Sequence, residues 1–326
     1  MRNTLLIFFF CFSLPLWSQK PGEIGFISDN DLYTSLIHDR YYTNGIELFY
    51  RYLGSSKSEN IVKRITDIRA GQYMYNPQSV RAEDIDVHDR PYAGYLFAEM
   101  GVNKFYRNED VFKMTFQAGV LGKESQAEAF QKKLHKIVGY PTVKGWEYQI
   151  KTAIGLQAGF FYSHKIFKER FKEKVDFHLQ ASMDVGTIWN GITVGPMMRI
   201  SFKKLLLPVY NSALHGASLN HDRNVYKDDR EFFLFLNPNL NYQMYDATIQ
   251  GGPFDDDSPV TFNLIPFRFN AKAGVKYKKN KWNLSFTFCY RGKELSNNVI
   301  EGYYYGSVAV GYMLSRLSQS SISSVT

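Results

Sequence analysis

Polar and apolar positions alternate with a period of two along most of the chain, the pattern of strands whose two faces meet different surroundings. The alternation is clearest in Ile46–Tyr52, Val111–Val120, Val175–Val185, Phe262–Tyr277, Trp282–Tyr290 and Tyr304–Leu314. In Trp282–Tyr290 the side chains of Trp282, Leu284, Phe286, Phe288 and Tyr290 share one face, opposite Asn283, Ser285, Thr287 and Cys289. Glu23–Tyr33, Ile61–Tyr75, Tyr92–Tyr106, Glu147–Phe167, Gly191–Phe202 and Arg230–Asp246 are strand-like too. The expected total is about twelve, an even number as in bacterial single-chain barrels. Beyond the N-terminus no segment reaches the ~18 uninterrupted apolar residues of a transmembrane helix. Strands with bulky apolar groups on one face and small polar groups on the other predict an all-β fold, a transmembrane antiparallel up-and-down barrel.

One segment departs from this pattern. Lys123–Val138 consists of good helix formers, with Ala127, Phe130, Leu134, Ile137 and Val138 at helical spacing, and Gly139 and Pro141 stop it. It predicts a short helix in a loop at one mouth or folded into the lumen. With the mature N-terminus on the inner side, odd-numbered strands run outward. The connections Thr34–Tyr42, Asn76–Pro91 and Lys123–Trp146 then meet at the outer rim. Neither linker nor repeat divides Lys20–Leu314, which reads as one barrel followed by the polar tail Ser315–Thr326.

Composition places that barrel. Met1–Gln19 pairs Arg2 with an apolar run, Leu5 to Trp17, too short to span a bilayer, and so reads as a secretory signal peptide. Cys11 falls inside it without the small residue before it that a lipobox requires, so Cys289 stands alone and no disulfide holds the exported chain together. Aromatic residues make up 16% of the chain, 23 Tyr and 26 Phe among them, while mean hydropathy is only −0.31. That combination suits a barrel with aromatic girdles, although composition by itself also fits a soluble β-rich secreted domain. The net charge of +8 is spread over many Lys and Arg, which suits an anionic lipid surface and points to no nucleic-acid partner.

The densest polar groups lie at the expected outer connections: Asp29, Asn30 and Asp31, then Asp39 through Gly45. Their oxygens are the ligands a hard cation such as Ca²⁺ takes, and the same residue types are ordinary turn formers. His135 on the expected helix has the chemistry of a general base, and shares a face with Gln131 and Val138. The other histidines lack metal-ligand spacing, and no GxSxG, HExxH or phosphate-cradling loop occurs.

Four segments, in order, carry a resemblance. Ser28-Asp29-Asn30-Asp31, Asp39-Arg40-Tyr41-Tyr42-Thr43-Asn44-Gly45, Asp89-Arg90-Pro91-Tyr92-Ala93-Gly94, and Gln131 and His135 followed by Gly145-Trp146 and Gln149 are similar to the outer-membrane lipid A 3′-O-deacylases. The resemblance implies a twelve-stranded barrel with its site between the wall and an outer helix, hydrolysing an ester-linked acyl chain of lipid A with Ca²⁺. It implies that Asn30 and Asp31 hold the metal, that Thr43 is a site residue, and that His135 is the catalytic base. Arg81 is the nearest counterpart of the family's basic residue, and Lys151-Thr152 stands where an acidic residue can occur. The implied partner is lipid A in the outer leaflet of the outer membrane, with a monomer the expected state. Rival readings are a barrel phospholipase and a non-catalytic structural or adhesive barrel; a narrow barrel with a helix near its mouth argues against a porin.

Overall fold

A sheet bordered by hydrocarbon can leave no open edge, because unpaired backbone groups there are costly, and this chain meets that demand by closure. The computed structural model describes residues 20–34, 41–56, 58–79, 83–167, 174–202, 205–220, 230–254 and 257–314. The expected signal peptide and the C-terminal tail lie outside them, as does Arg81.

The strands are β1 (Gly22–Asn30), β2 (Tyr41–Gly54), β3 (Ile61–Asn76), β4 (Ala93–Tyr106), β5 (Val111–Leu121), β6 (Ala153–Ile166), β7 (Val175–Gly186), β8 (Trp189–Ile200), β9 (Arg230–Asp246), β10 (Phe267–Lys279), β11 (Trp282–Gly292) and β12 (Gly302–Leu314). Each pairs antiparallel with its neighbours in sequence, and β1 closes the ring on β12. The helices are α1 (Ala127–Val138) and α2 (Ala247–Gln250). Apart from 201–229, the long connections lie at the end where β1 finishes, which marks that end as the outer one.

The expected elements form, with boundaries moved for local reasons. The first strand stops at Asn30, whose side chain accepts from Leu32 N and caps a 3-10 turn at Asp31–Tyr33. Phe262–Pro266 is not strand: the tenth strand begins only after Pro266, which lacks the N–H a ladder needs. The sixth strand begins at Ala153 instead of Glu147, because Trp146–Tyr148 forms a 3-10 turn. Likewise Lys123–Ser125 is a 3-10 turn, divided from α1 by Gln126 at φ 60°.

Alternation holds as expected in β11, where Trp282, Leu284, Phe286 and Phe288 are exposed on the outside while Asn283 donates to Glu23 Oε1 (2.7 Å) in the lumen. Ile24, Phe26, Leu48, Met100, Phe116 and Leu156 extend the exposed apolar belt around the wall. The lumen is charged and paired: Arg69 lies 3.2 Å from Glu47 and 2.8 Å from Glu99, and Arg51 lies 3.5 Å from both Glu23 and Asp67. At the inner end Val209, Leu214, Ala217 and Leu219, from the β8–β9 connection, pack on Leu53, Phe105, Met197 and Phe233. Lys63 Nζ fastens this segment through Ala217 O (2.7 Å) and Asn211 Oδ1 (3.1 Å).

Placing a charge on the belt tests this register. Phe286→Arg is expected to cost ~2–4 kcal/mol near the bilayer midplane, and Thr287→Arg, aimed into the lumen, distinctly less. Denaturant unfolding of both variants in lipid vesicles checks it, and equal costs would mean the faces are assigned wrongly.

Candidate functional site on the outer wall

Strand alternation sends neighbouring polar residues of the first motif to opposite faces. Asp29 points into the lumen, where its Oδ2 accepts from Tyr42 OH (2.9 Å), whereas Asn30 lies on the outside. On β2 the register shifts between Tyr42 and Asn44, which makes Thr43 the extra residue of a bulge. The consequence is decisive. Tyr42 faces the lumen because of the bulge, as Gly45 does by alternation, while Asn44 faces out beside Asn30 on the face it shares with Ile46 and Leu48. Asn30 Nδ2 donates to Asn44 Oδ1 (2.8 Å). Bulges commonly re-aim side chains beside functional sites. Thr43 is fixed here only by its backbone, its side chain lying outside the described residues.

Register extends this pair into a row across five strands: Gly306, Asn30, Asn44, Met74 and Gly94. At ~4.8 Å per strand the row is about 19 Å long. Its ends are glycines for a packing reason. A Cβ at Gly306 would meet Tyr33 of the Asp31–Tyr33 turn, and one at Gly94 would collide with Ser125 Oγ and Ala127 Cβ. One end of the row therefore carries that turn, with Asp31 buried in it, and the other carries the start of α1.

The helix lies against the outside of the wall rather than in the lumen. Met74 is buried beneath Ala127, Tyr92, Val143 and Trp146, and Gln72 Nε2 donates to Ser125 O (2.5 Å). The buried residues of α1 are Ala127, Gln131 and His135, one stripe at four-residue spacing. A buried polar stripe needs partners, and the returning chain supplies them. Gly139, at φ 76°, ends the helix and turns the chain back. His135 Nδ1 then donates to Pro141 O (2.8 Å), Trp146 Nε1 donates to Gln131 Oε1 (2.8 Å), and the Trp146 ring packs 4.8 Å from that of Tyr92. Because a carbonyl only accepts, His135 carries a proton on Nδ1 in this bond. Gln131 Nε2 is a buried donor with no hydrogen-bond acceptor among the described residues.

The third motif has a different job. Asp89 accepts from Tyr41 OH (3.0 Å) and from Gln78 N (2.8 Å), and its carbonyl accepts from Asn297 Nδ2 (2.6 Å). Arg90, 1% exposed, donates to Thr248 Oγ1 (3.0 Å) and lies over the Tyr75 ring at 4.3 Å, with Glu294 3.8 Å away. These two residues tie three outer connections and the outer end of β2 together across the mouth. Beneath them a polar lumen cavity of about 530 Å³, lined by residues including Asp29, Asp184, Asn239 and Lys272, is separate from the outer row.

Oxygen ligands dominate the Asn30 end. The Asp31 carboxylate and the carboxamide oxygens of Asn30 and Asn44 are chemically suited to a hard cation. Among the described residues no three His, Cys, Asp or Glu side chains converge as a metal cluster, so such an ion would draw on carboxamide and backbone oxygens.

With that geometry in place, comparison with known proteins decides the family. A family model described as outer membrane protein LpxR matches residues 5–314. The chain belongs to the LpxR family. Among solved structures, LpxR from Salmonella typhimurium is similar with a TM-score of 0.72 at 17% identity, covering 89% of this chain and 99% of that one. The β domain of the Bordetella autotransporter BrkA follows with a TM-score of 0.48 at 9% identity, covering 91% of this chain and 99% of that one. The NalP translocator domain from Neisseria meningitidis has a TM-score of 0.39 at 11% identity, covering 90% and 88%. A comparison with curated proteins finds no match. As an LpxR-family barrel the chain resides in the outer membrane.

Crowding at Gly94 offers a test of how α1 is seated. Gly94→Val should lift the helix from the wall, raising hydrogen exchange across 127–138 well above the parent's while heat-modifiable migration of the barrel persists. Unchanged exchange would mean that α1 is held elsewhere.

Proposed function

We propose that this LpxR-family barrel is a lipid A deacylase, hydrolysing the ester-linked 3′-O-acyl chain of lipid A in the outer leaflet with Ca²⁺. The single observation carrying this reading is the state of His135, an imidazole 5% exposed on the wall-facing stripe of α1 whose Nδ1–H is committed to Pro141 O.

That bond holds the ring in one orientation with its proton on Nδ1, and in the neutral imidazole Nε2 is then the nitrogen that can act as general base. In the proposed reaction Nε2 takes a proton from a water molecule as its oxygen bonds to the ester carbonyl carbon. The tetrahedral adduct then collapses, the bond from that carbon to the sugar oxygen breaks, and the imidazolium returns the proton to the departing oxygen. Asp31, Asn30 and Asn44 would hold the Ca²⁺, and when bound it supplies positive charge to polarise the ester and stabilise the oxyanion. Thr43 at the bulge is assigned to positioning water or ester, and Arg81 to stabilising the oxyanion. Gln131 Nε2 adds a donor on the stripe that bears His135. The outer row suits a substrate that arrives from the leaflet, since an acyl chain lying against the wall meets it without entering the lumen.

A general base contributes roughly 10²–10⁴-fold to rate, so His135→Ala should lose that much on purified lipid A while the barrel keeps its heat-modifiable migration. Glu128→Gln, on another face of α1, should stay near the parent. Mass spectrometry of the released acyl chain reads both, and a fully active His135→Ala would remove the residue from the chemistry. Chelation should abolish turnover and Ca²⁺ restore it, with Mg²⁺ a poor substitute because of its stricter octahedral demand; full turnover in chelator would exclude the metal. Release from phospholipid but not from lipid A would reassign the substrate.

A further inference from the structure

A helix on a protein surface ordinarily buries its apolar stripe and exposes the rest. In α1 the arrangement is reversed. The wall-facing stripe contains Gln131 and His135, while Phe130 is 38% and Ile137 72% exposed, and Val138 and Tyr140 at the helix end are exposed as well. At ~100° per residue, Phe130, Leu134 and Ile137 fall together on one flank of the buried stripe. Glu128 and Lys132 lie on the other flank, and Lys133 and Lys136 on the face turned away from the wall. An apolar edge of this kind has no reason to persist in water.

The contacts of α1 say which way that edge points. Ala127 sits over Gly94, and Trp146, bonded to Gln131, packs on Tyr92, which lies farther out along the chain than Gly94. The returning segment, which also carries the Pro141 carbonyl bonded to His135, therefore lies on the outward side of the buried stripe. The opposite flank, with Phe130, Leu134 and Ile137, faces inward along the wall. There β4 continues below Gly94 with Leu96 and Met100, both exposed members of the apolar belt.

We infer that the Phe130–Leu134–Ile137 edge of α1 lies among the acyl chains of the outer leaflet, continuing the lipid-facing belt of the barrel up to the site. The occupant of the edge is lipid hydrocarbon. Its continuity with Leu96 and Met100 supports this, and so does charge, because exposed Lys133 and Lys136 on the far side of the helix are placed to meet anionic headgroup phosphates. A helix held in this way puts His135 at the level where acyl chains join their headgroups. The inference concerns the position of the helix and stands whether or not the barrel hydrolyses an ester.

A nitroxide scan tests it directly. The mature chain, with Cys289→Ser, is labelled at Ile137→Cys and separately at Phe130→Cys, then reconstituted in phosphatidylcholine vesicles containing lipid A. Leu156→Cys in the belt and Lys133→Cys on the outer face of α1 serve as references. Collision rates are measured with oxygen, which concentrates in hydrocarbon, and with a water-soluble nickel chelate. The expected result is an oxygen-to-nickel ratio at both positions close to that at Leu156 and several-fold above that at Lys133. Ratios at both positions matching Lys133 would overturn the inference, and if one label disturbs the helix the other decides.

Discussion

Inside a bilayer every backbone N–H and C=O must find its partner within the protein, and the closed ladder of twelve strands is how this chain complies. Closure then dictates the rest, because in a closed ladder each side chain has only two destinations, lipid or lumen. Asp29 and Asn30 are neighbours in sequence yet lie on opposite sides of the wall, one bonded to Tyr42 in the lumen and the other to Asn44 outside. A single extra residue at Thr43 turns Tyr42 into the lumen beside Asp29, while Asn44 keeps the outer face it shares with Leu48. The polar groups of the candidate site therefore sit on the face that meets lipid, which is where the ester of a membrane lipid can reach them.

Holding a helix against that face takes both space and hydrogen bonds. Gly94 supplies the space, and Gln131 Oε1 and His135 Nδ1 on the polar stripe of α1 find partners in a segment that the helix itself turns back through Gly139. Burial makes these bonds consequential, since a buried polar group that loses its partner costs about 1–3 kcal/mol. His135 therefore depends for its orientation on Pro141, and the returning segment depends on the packing of Trp146 against Tyr92. Asp89 and Arg90 fasten the other outer connections so that the mouth of the barrel is a fixed frame. The residues that mark the family thus divide between those that face the outer row and those that hold the frame.

Much of this was legible in the sequence, because barrel strands advertise themselves by period. β5, β7 and β11 appeared nearly at their true lengths, and the antiparallel order follows once the strands are counted. Ends were harder, since they depend on side chains that compete with the ladder, as the Asn30 cap does, or on a missing donor, as at Pro266. Helical spacing located α1 but not its buried face: Gln131 and His135 are buried because partners farther along the loop accept and donate, which no local window reveals. Asn44 was quoted within a motif without a role, because what gives it one is its pairing with Asn30 across two strands, which no single segment reveals. Asp29 was grouped with Asn30 and Asp31 in one polar cluster for the complementary reason, that a run of polar residues hides the alternation beneath it.

The central claim is that the chemistry belongs to the outer face of the wall and not to the lumen, and two adjacent residues separate the alternatives. Asn30→Leu and Asp29→Asn alter side chains one residue apart on opposite faces. The decisive measurement is the rate of acyl-chain release from lipid A vesicles, followed by mass spectrometry, for these two variants beside the parent. The account predicts that Asn30→Leu loses most of its turnover while Asp29→Asn stays close to the parent. Full activity in Asn30→Leu with loss in Asp29→Asn would contradict it and move the reaction into the barrel.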